Sequence, residues 1–91
     1  HYPLGVVGGI VEQISSQGPG LEPIVIGSCA MELQTYFSLN YPTSAQTDLS
    51  AHDLDINILV SKLKNYTNKA FEINNFGVPV DLRLGRSRYL D

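Results

Sequence analysis

The sequence has no tryptophan, a single cysteine and few histidines. Because a disulfide needs two cysteines, the lone Cys29 excludes a disulfide framework within the chain. Two histidines and one cysteine match no zinc-ligand spacing, and the Asp53–Asp55 pair lacks the remaining residues of a calcium loop. We therefore expect no metal site and no cofactor. No apolar run approaches the roughly 18–20 residues of a membrane span, so we expect no transmembrane segment.

Charged side chains are scarce, whereas the apolar content is ordinary. Of the 91 residues, 16% are charged and 43% are apolar, and globular domains average about 25% charged residues. Low charge with normal apolar content argues against disorder. The length is that of a single domain. We therefore expect residues 1–91 to form one small, soluble α+β domain.

Basic residues are absent from the first two thirds of the chain. Residues 1–61 contain six acidic side chains and no lysine or arginine, whereas residues 62–91 contain six basic and three acidic ones. Such asymmetry indicates an interaction preference, unless folding mixes the two halves in space.

The first segment, residues 4–15, is ambiguous between helix and strand. Val7, Ile10 and Ile14 have helical spacing. Gly8 and Gly9 each cost about 1 kcal/mol in a helix relative to alanine, as does Gly5. Val6, Ile10 and Ile14 also share one face of a strand, so we favour a strand followed by a turn at residues 17–20.

Residues 22–39 predict a long strand that is bent at its centre. An apolar run at 24–26 precedes four small residues, 27–30, and the residues from Met31 to Leu39 then alternate apolar and polar. The small residues fit a bulge or a bend. The alternative is a strand to Ile26 and a helix from about Ala30, with Leu33 and Phe37 on one face.

Residues 51–68 predict the only helix. Ile56, Leu59, Val60 and Leu63 share one helical face. Ser50 lies three residues before Asp53, which resembles a capping box, and acidic residues in a first turn suit the helix dipole.

The last segment predicts a hairpin. Residues 71–73 and 78–84 form its strands, and residues 74–77 form the turn. Pro79 cannot donate a ladder hydrogen bond, which favours an edge strand. The expected fold is a four-stranded, mainly antiparallel sheet in the order β-β-α-β-β with one helix packed on one face. One helix leaves the other face to solvent or to a partner.

Candidate catalytic chemistry is sparse, so we expect a non-enzymatic protein. Cys29 follows an apolar strand, and a nucleophile there would need a base such as His52. The competing interpretation is a small buried thiol in a tight bend. A cysteine-dependent enzyme is therefore the weakest functional hypothesis.

The leading hypothesis is a protein-interaction or assembly module that self-associates as a homo-oligomer or works in a larger complex. Arginine and tyrosine are enriched at interface hot spots. The candidate interaction residues are Arg83, Arg86, Arg88, Tyr89, Tyr36 and Lys62. The alternative is a binder of an anionic ligand or of single-stranded nucleic acid through Arg86 and Arg88, although an acidic pI of about 5.1 disfavours nucleic acid.

Overall fold

The computed structural model describes residues 1–66 and 70–86, apart from the side chain of Lys64. The fold is α+β, with two helices and two small sheets. The elements in chain order are β1 (Tyr2–Pro3), α1 (Leu4–Ser15), β2 (Leu21–Ile26), α2 (Gly27–Ser38), β3 (Asp48–Leu49), β4 (Leu54–Val60), a 3-10 turn (Leu63–Asn65) and β5 (Val80–Arg86).

The larger sheet has the strand order β2-β4-β5. Strand β2 is antiparallel to β4, with Leu21 opposite Val60 and Ile26 opposite Asp55. Strand β5 is parallel to β4, from Leu54 opposite Val80 to Val60 opposite Arg86. The smaller sheet is the antiparallel pair of β1 and β3.

The core lies between one face of the larger sheet and the two helices. Alternate residues of β4 are fully buried on this face; they are Leu54, Ile56, Ile58 and Val60. Helix α1 contributes Val7, Ile10 and Ile14, and α2 contributes Cys29.

The opposite face of the larger sheet, which we call the open face, carries the intervening residues of the three strands. By register they are Glu22, Ile24 and Ile26 of β2, Asp55, Asn57 and Leu59 of β4, and Asp81, Arg83 and Gly85 of β5. Ile24 remains 39% exposed. Within residues 1–66 and 70–86, both helices pack on the other side. The α+β class is confirmed, but the expected single four-stranded, mainly antiparallel sheet with one helix is wrong, because the described residues form a mixed three-stranded sheet, a two-stranded sheet and two helices.

The prediction of a strand at residues 4–15 was wrong, because this segment is helix α1. Its three buried residues follow the helical spacing, whereas Gly5 and Gly8 are exposed. Burial of the apolar stripe therefore outweighs the low helix propensity of glycine.

The prediction of a long bent strand at 22–39 was also wrong, and the alternative, a strand to Ile26 followed by a helix, was closer to the structure. The strand ends at Ile26 and helix α2 begins at once. Gly27 has a φ of +73°, a conformation that favours glycine and turns the chain from strand to helix.

The prediction of a helix at 51–68 was wrong, because Leu54–Val60 form strand β4 and Leu63–Asn65 form the 3-10 turn, while residues 67 and 68 lie outside the described residues. Its β-branched residues Ile56, Ile58 and Val60 alternate with Asp55, Asn57 and Leu59, and this period of two places every second side chain in the core. The helical spacing of Ile56, Leu59 and Leu63 was coincidental.

The predicted hairpin is not formed. Residues 71–73 are irregular, and β5 pairs in parallel with β4. The turn is present at Phe76 and Gly77, both with positive φ, and β5 is an edge strand of its sheet as expected from Pro79.

Replacement of Ile58 by alanine tests the central position of β4. Because Ile58 is fully buried, Ile58→Ala should lower the free energy of unfolding by about 2–5 kcal/mol in urea denaturation. Ile24→Ala, on the open face, is the matched control and should cost less than about 1 kcal/mol. Equal losses at the two positions would contradict the assignment of faces.

Candidate functional site

Three strands of the larger sheet have one end at the same side of the sheet, and we call this side, formed by strand ends, an edge. Strand β2 ends there at Ile26, while β4 and β5 begin there at Leu54 and Val80. Because β2 runs into α2 without a loop, the N-terminus of this helix lies at the same edge. The strand directions alone therefore bring together three chain segments that are far apart in sequence.

Two aspartates are neighbours on adjacent strands at this edge. Asp55 of β4 and Asp81 of β5 are register partners on the open face. Neighbouring strands are about 4.8 Å apart, so the two side chains start from adjacent backbone positions. The Asp55 carboxylate also lies against Gly27, since a Cβ atom placed on that glycine would be 2.8 Å from Asp55 Oδ2. We call Gly27, Asp55 and Asp81 the carboxylate edge.

The start of α2 presents unsatisfied donors to the carboxylate edge. This helix has 12 residues, its N-cap is Ile26, and no side chain caps it. The first turn of a helix has N–H groups without intrahelical partners and a partial positive charge. A side chain at position 27 would separate these donors from Asp55, and glycine leaves the space open.

The surroundings of the two carboxylates offer little neutralising charge. Among the described residues, Asp55 makes no hydrogen bond or ion pair. Arg83 Nη2 lies 3.8 Å from Asp81 Oδ2, and these side chains are 75% and 57% exposed. An ion pair that exposed is weak because water screens it.

A third acidic residue stands next to the carboxylate edge. Asp53 is exposed in the bend that leads into β4. The Tyr2 hydroxyl donates to its backbone carbonyl at 3.0 Å, which ties this bend to β1. Within the part of the chain that the structure describes, no group of three or more His, Cys, Asp and Glu side chains is close enough to hold a metal ion. Any cation at this edge would therefore take its remaining ligands from a bound molecule and water.

The predicted interaction residues are dispersed. Arg83 lies on the open face, whereas Tyr36 is half-buried on α2 and packs edge-to-face on Tyr41, with ring centroids 6.1 Å apart. Lys62 and Arg86 line a shared depression of about 310 Å³ beside Ser61 and Leu63.

The other two predicted interaction residues, Arg88 and Tyr89, lie outside the described residues. The basic strand β5 is adjacent to β4, which belongs to the acidic part of the sequence. Folding therefore mixes the two kinds of charge in the sheet.

Cys29 belongs to the core. It is fully buried on α2, and burial raises the pKa of its thiol, while the neighbouring Tyr2 hydroxyl opposes part of that rise. One turn further along α2, the Glu32 carboxylate accepts hydrogen bonds from the backbone N–H groups of Ser50 and Ala51 at 2.9–3.0 Å. These contacts attach α2 to the segment before β4. Among the described residues, no hydrogen bond joins Cys29 to His52, which is exposed.

Sequence reasoning missed the carboxylate edge, because Asp53 and Asp55 were attributed to the first turn of a helix. The available signal was the alternation of Asp55 and Asn57 with β-branched residues, together with Asp81 in a second alternating segment. Gly27, directly after the apolar run at 24–26, marked the end of strand β2.

Comparisons of the chain with protein-family models, with curated proteins and with solved structures found no match. Within residues 1–66 and 70–86, no helix has the length and apolar character needed to cross a membrane.

Alkylation of Cys29 tests its place in the core. Because the thiol is buried and its pKa is raised, native protein at pH 8 should react with iodoacetamide roughly 100-fold or more slowly than urea-unfolded protein. His52→Ala should leave the native rate unchanged. Rapid native alkylation that His52→Ala abolishes would instead support the cysteine-nucleophile hypothesis.

Proposed function

We propose that the carboxylate edge binds a divalent cation such as Mg²⁺ together with the phosphate group of a ligand, and that the protein assists phosphoryl or nucleotidyl transfer. The observation that carries the proposal is the pairing of Asp55 with Asp81 beside the N-terminus of α2. It places oxygen ligands for a hard cation next to donors for an anion.

The pairing of two acids supports a cation at this position. Like charges directly opposite each other on neighbouring strands are destabilising, by roughly 0.2–1 kcal/mol. Arg83 is too exposed to neutralise the pair, and Asp55 has no partner among the described residues. A divalent cation held by Asp55 and Asp81 would offset this repulsion. Mg²⁺ is commonly held by one or two carboxylates, with phosphate oxygens and water completing its octahedron.

The helix N-terminus supports a phosphate as the second ligand. Anions bind where backbone N–H groups are unpaired and the helix dipole is positive. The absent side chain of Gly27 lets Asp55 approach the start of α2 closely. A phosphate at the first turn of α2 therefore lies within reach of a cation held by Asp55, and one phosphate group can bind to both.

The chain's own groups have two roles in this chemistry. Asp55 and Asp81 would hold the cation, which would supply charge neutralisation, and the N–H groups of α2 would hold a phosphate oxygen. Positioning and charge neutralisation are most of what phosphoryl transfer requires from a protein. The acceptor would be a hydroxyl group of a second substrate or a water molecule, and the rest of the nucleotide, or its diphosphate, would be the leaving group.

Removal of one carboxylate should separate stability from cation binding. Without Mg²⁺, the free energy of unfolding of Asp55→Asn and of Asp81→Asn, measured in urea, should equal that of the wild type or exceed it by about 0.2–1 kcal/mol. The reason is that the repulsion between the two carboxylates is gone. With Mg²⁺ and a non-hydrolysable nucleoside triphosphate at about 100 times the dissociation constant, the wild type should gain about 2.7 kcal/mol. The two variants should gain much less.

Glu22→Gln is the matched control, since Glu22 lies on the same face at the opposite end of β2. It should keep the full stabilisation by Mg²⁺ and nucleotide. A wild type that shows no stabilisation, or Asn variants that respond as strongly as the wild type, would contradict the proposal.

A second candidate function is the non-enzymatic interaction or assembly module expected from the sequence. The open face supports it: Ile24 is 39% exposed there, and Ile26 and Leu59 are only half-buried. Lys62 and Arg86, which share one depression, are also suited to an anionic partner. A second copy of the chain or another protein would cover these surfaces.

The mass in solution tests the assembly function. Sedimentation should show a species heavier than the 10.0 kDa monomer. The proportion of this species should fall in about 0.5 M salt, where the screening length is roughly 4 Å, if charges drive association. A strict monomer at high protein concentration would exclude self-assembly.

A further inference from the structure

The outer edge of β5 presents regularly spaced backbone groups. The N–H of Leu54 donates to the carbonyl of Pro79 at 2.9 Å. In a strand, the N–H and C=O of one residue point to the same side, and those of the next residue point to the opposite side. Because the Pro79 carbonyl faces β4, the backbone groups of Asp81 and Arg83 also face β4. Those of Val80, Leu82 and Leu84 face away from it. Strand β5 has no neighbour on that side among the described strands.

Strand β5 carries charged residues but lacks the two residue types that most commonly prevent pairing at an edge strand. Val80–Arg86 contains no proline and no lysine. Pro79, just before the strand, directs its backbone towards β4, so its missing N–H leaves the outer edge intact. The other edge strand, β2, contains Pro23 at its centre, and its one charged residue, Glu22, has no basic residue in the strand to pair with.

The charges of β5 are complementary to those of a second, antiparallel β5. In a twofold pairing centred on Leu82, Asp81 faces Arg83 of the second copy, and Arg83 faces Asp81. Val80 then faces Leu84 on the other side of the sheet. A twofold axis at Val80 would instead place Asp81 opposite Pro79. An axis at Leu84 would place Arg83 opposite Gly85, so in both registers a charged residue faces an uncharged one. The outward direction of the Leu82 backbone permits the first register.

We propose that two copies of this chain associate through antiparallel pairing of their β5 strands about a twofold axis at Leu82. The two sheets then form one continuous sheet of six strands, with two Asp81–Arg83 ion pairs across the junction on the open face. This inference rests on the assembly function and specifies its partner and its surface.

Charge reversal tests the pairing, in buffer with EDTA so that no divalent cation occupies Asp81. Asp81→Arg and Arg83→Asp should each weaken the dimer, measured by sedimentation, roughly tenfold to a hundredfold, because both pairs become repulsive. The double variant D81R/R83D should restore the wild-type dissociation constant. Glu12→Lys also reverses a charge, at an exposed site on α1 outside β5, and should leave the dissociation constant unchanged.

A mixture of the two single variants provides the sharpest comparison. In a D81R–R83D heterodimer each pair is again attractive, so the mixture should associate although each variant alone does so weakly. Hydrogen exchange should also show protection of the Leu82 and Leu84 amides that increases with protein concentration. A wild-type dimer that neither single reversal weakens would overturn the β5 interface while leaving assembly intact. A wild-type monomer at every concentration would overturn both.

Discussion

The burial of one face of β4 is the constraint on which the rest of the structure depends. Four of its seven residues, Leu54, Ile56, Ile58 and Val60, are fully buried, and they alternate along the central strand of the larger sheet. Because side chains alternate along a strand, a shift of one residue would expose all four. The register is therefore strongly fixed, and it determines which residues of β2 and β5 face the open side.

The position of the two carboxylates follows from that register. With Ile56 in the core, Asp55 must face the open side, and the parallel pairing of β4 with β5 places Asp81 beside it. The positive φ of Gly27 then starts α2 against Asp55. Core packing thus fixes two acidic residues on neighbouring strands, an arrangement that is unfavourable for like charges.

The same face presents two opposite kinds of charge within β5. Asp81 belongs to the carboxylate edge, and Arg83 stands two residues along the same side of the strand. The proposed cation would bind the carboxylate of Asp81, whereas a second β5 would bind chiefly the backbone of Val80, Leu82 and Leu84. Both proposals involve Asp81, so a bound cation would reduce the ion pairing that is available to a dimer.

Part of the fold could be predicted from the sequence. The α+β class, the uncovered sheet face, the turn near Gly77 and the alternating strand that became β5 were all indicated by local patterns. The segment from Asp53 to Leu63 was misassigned because its apolar residues satisfy helical and strand spacing together. Only packing against β2 and β5 decides between them.

The misassigned segment also concealed the candidate site. In a helix, Asp53 and Asp55 are ordinary first-turn acids; in β4, Asp55 becomes the neighbour of a residue 26 positions further along the chain. No local pattern shows that a strand will pair in parallel with another after a long connection, since that pairing depends on the whole core. The residues of the carboxylate edge were thus visible in the sequence, but their proximity was not.

A titration tests most directly whether Asp55, Asp81 and the start of α2 form the proposed cation and phosphate site. Isotope-labelled protein is titrated with Mg²⁺, and then with Mg²⁺ and a nucleoside triphosphate, while the amide chemical shifts are recorded. We expect saturable shifts at Asp55 and Asp81 with Mg²⁺, and additional shifts at Gly27 and Ser28 with nucleotide, while Glu22 at the far end of the sheet stays unchanged. Saturable shifts elsewhere, with none at Asp55, Asp81, Gly27 and Ser28, would contradict the proposed site.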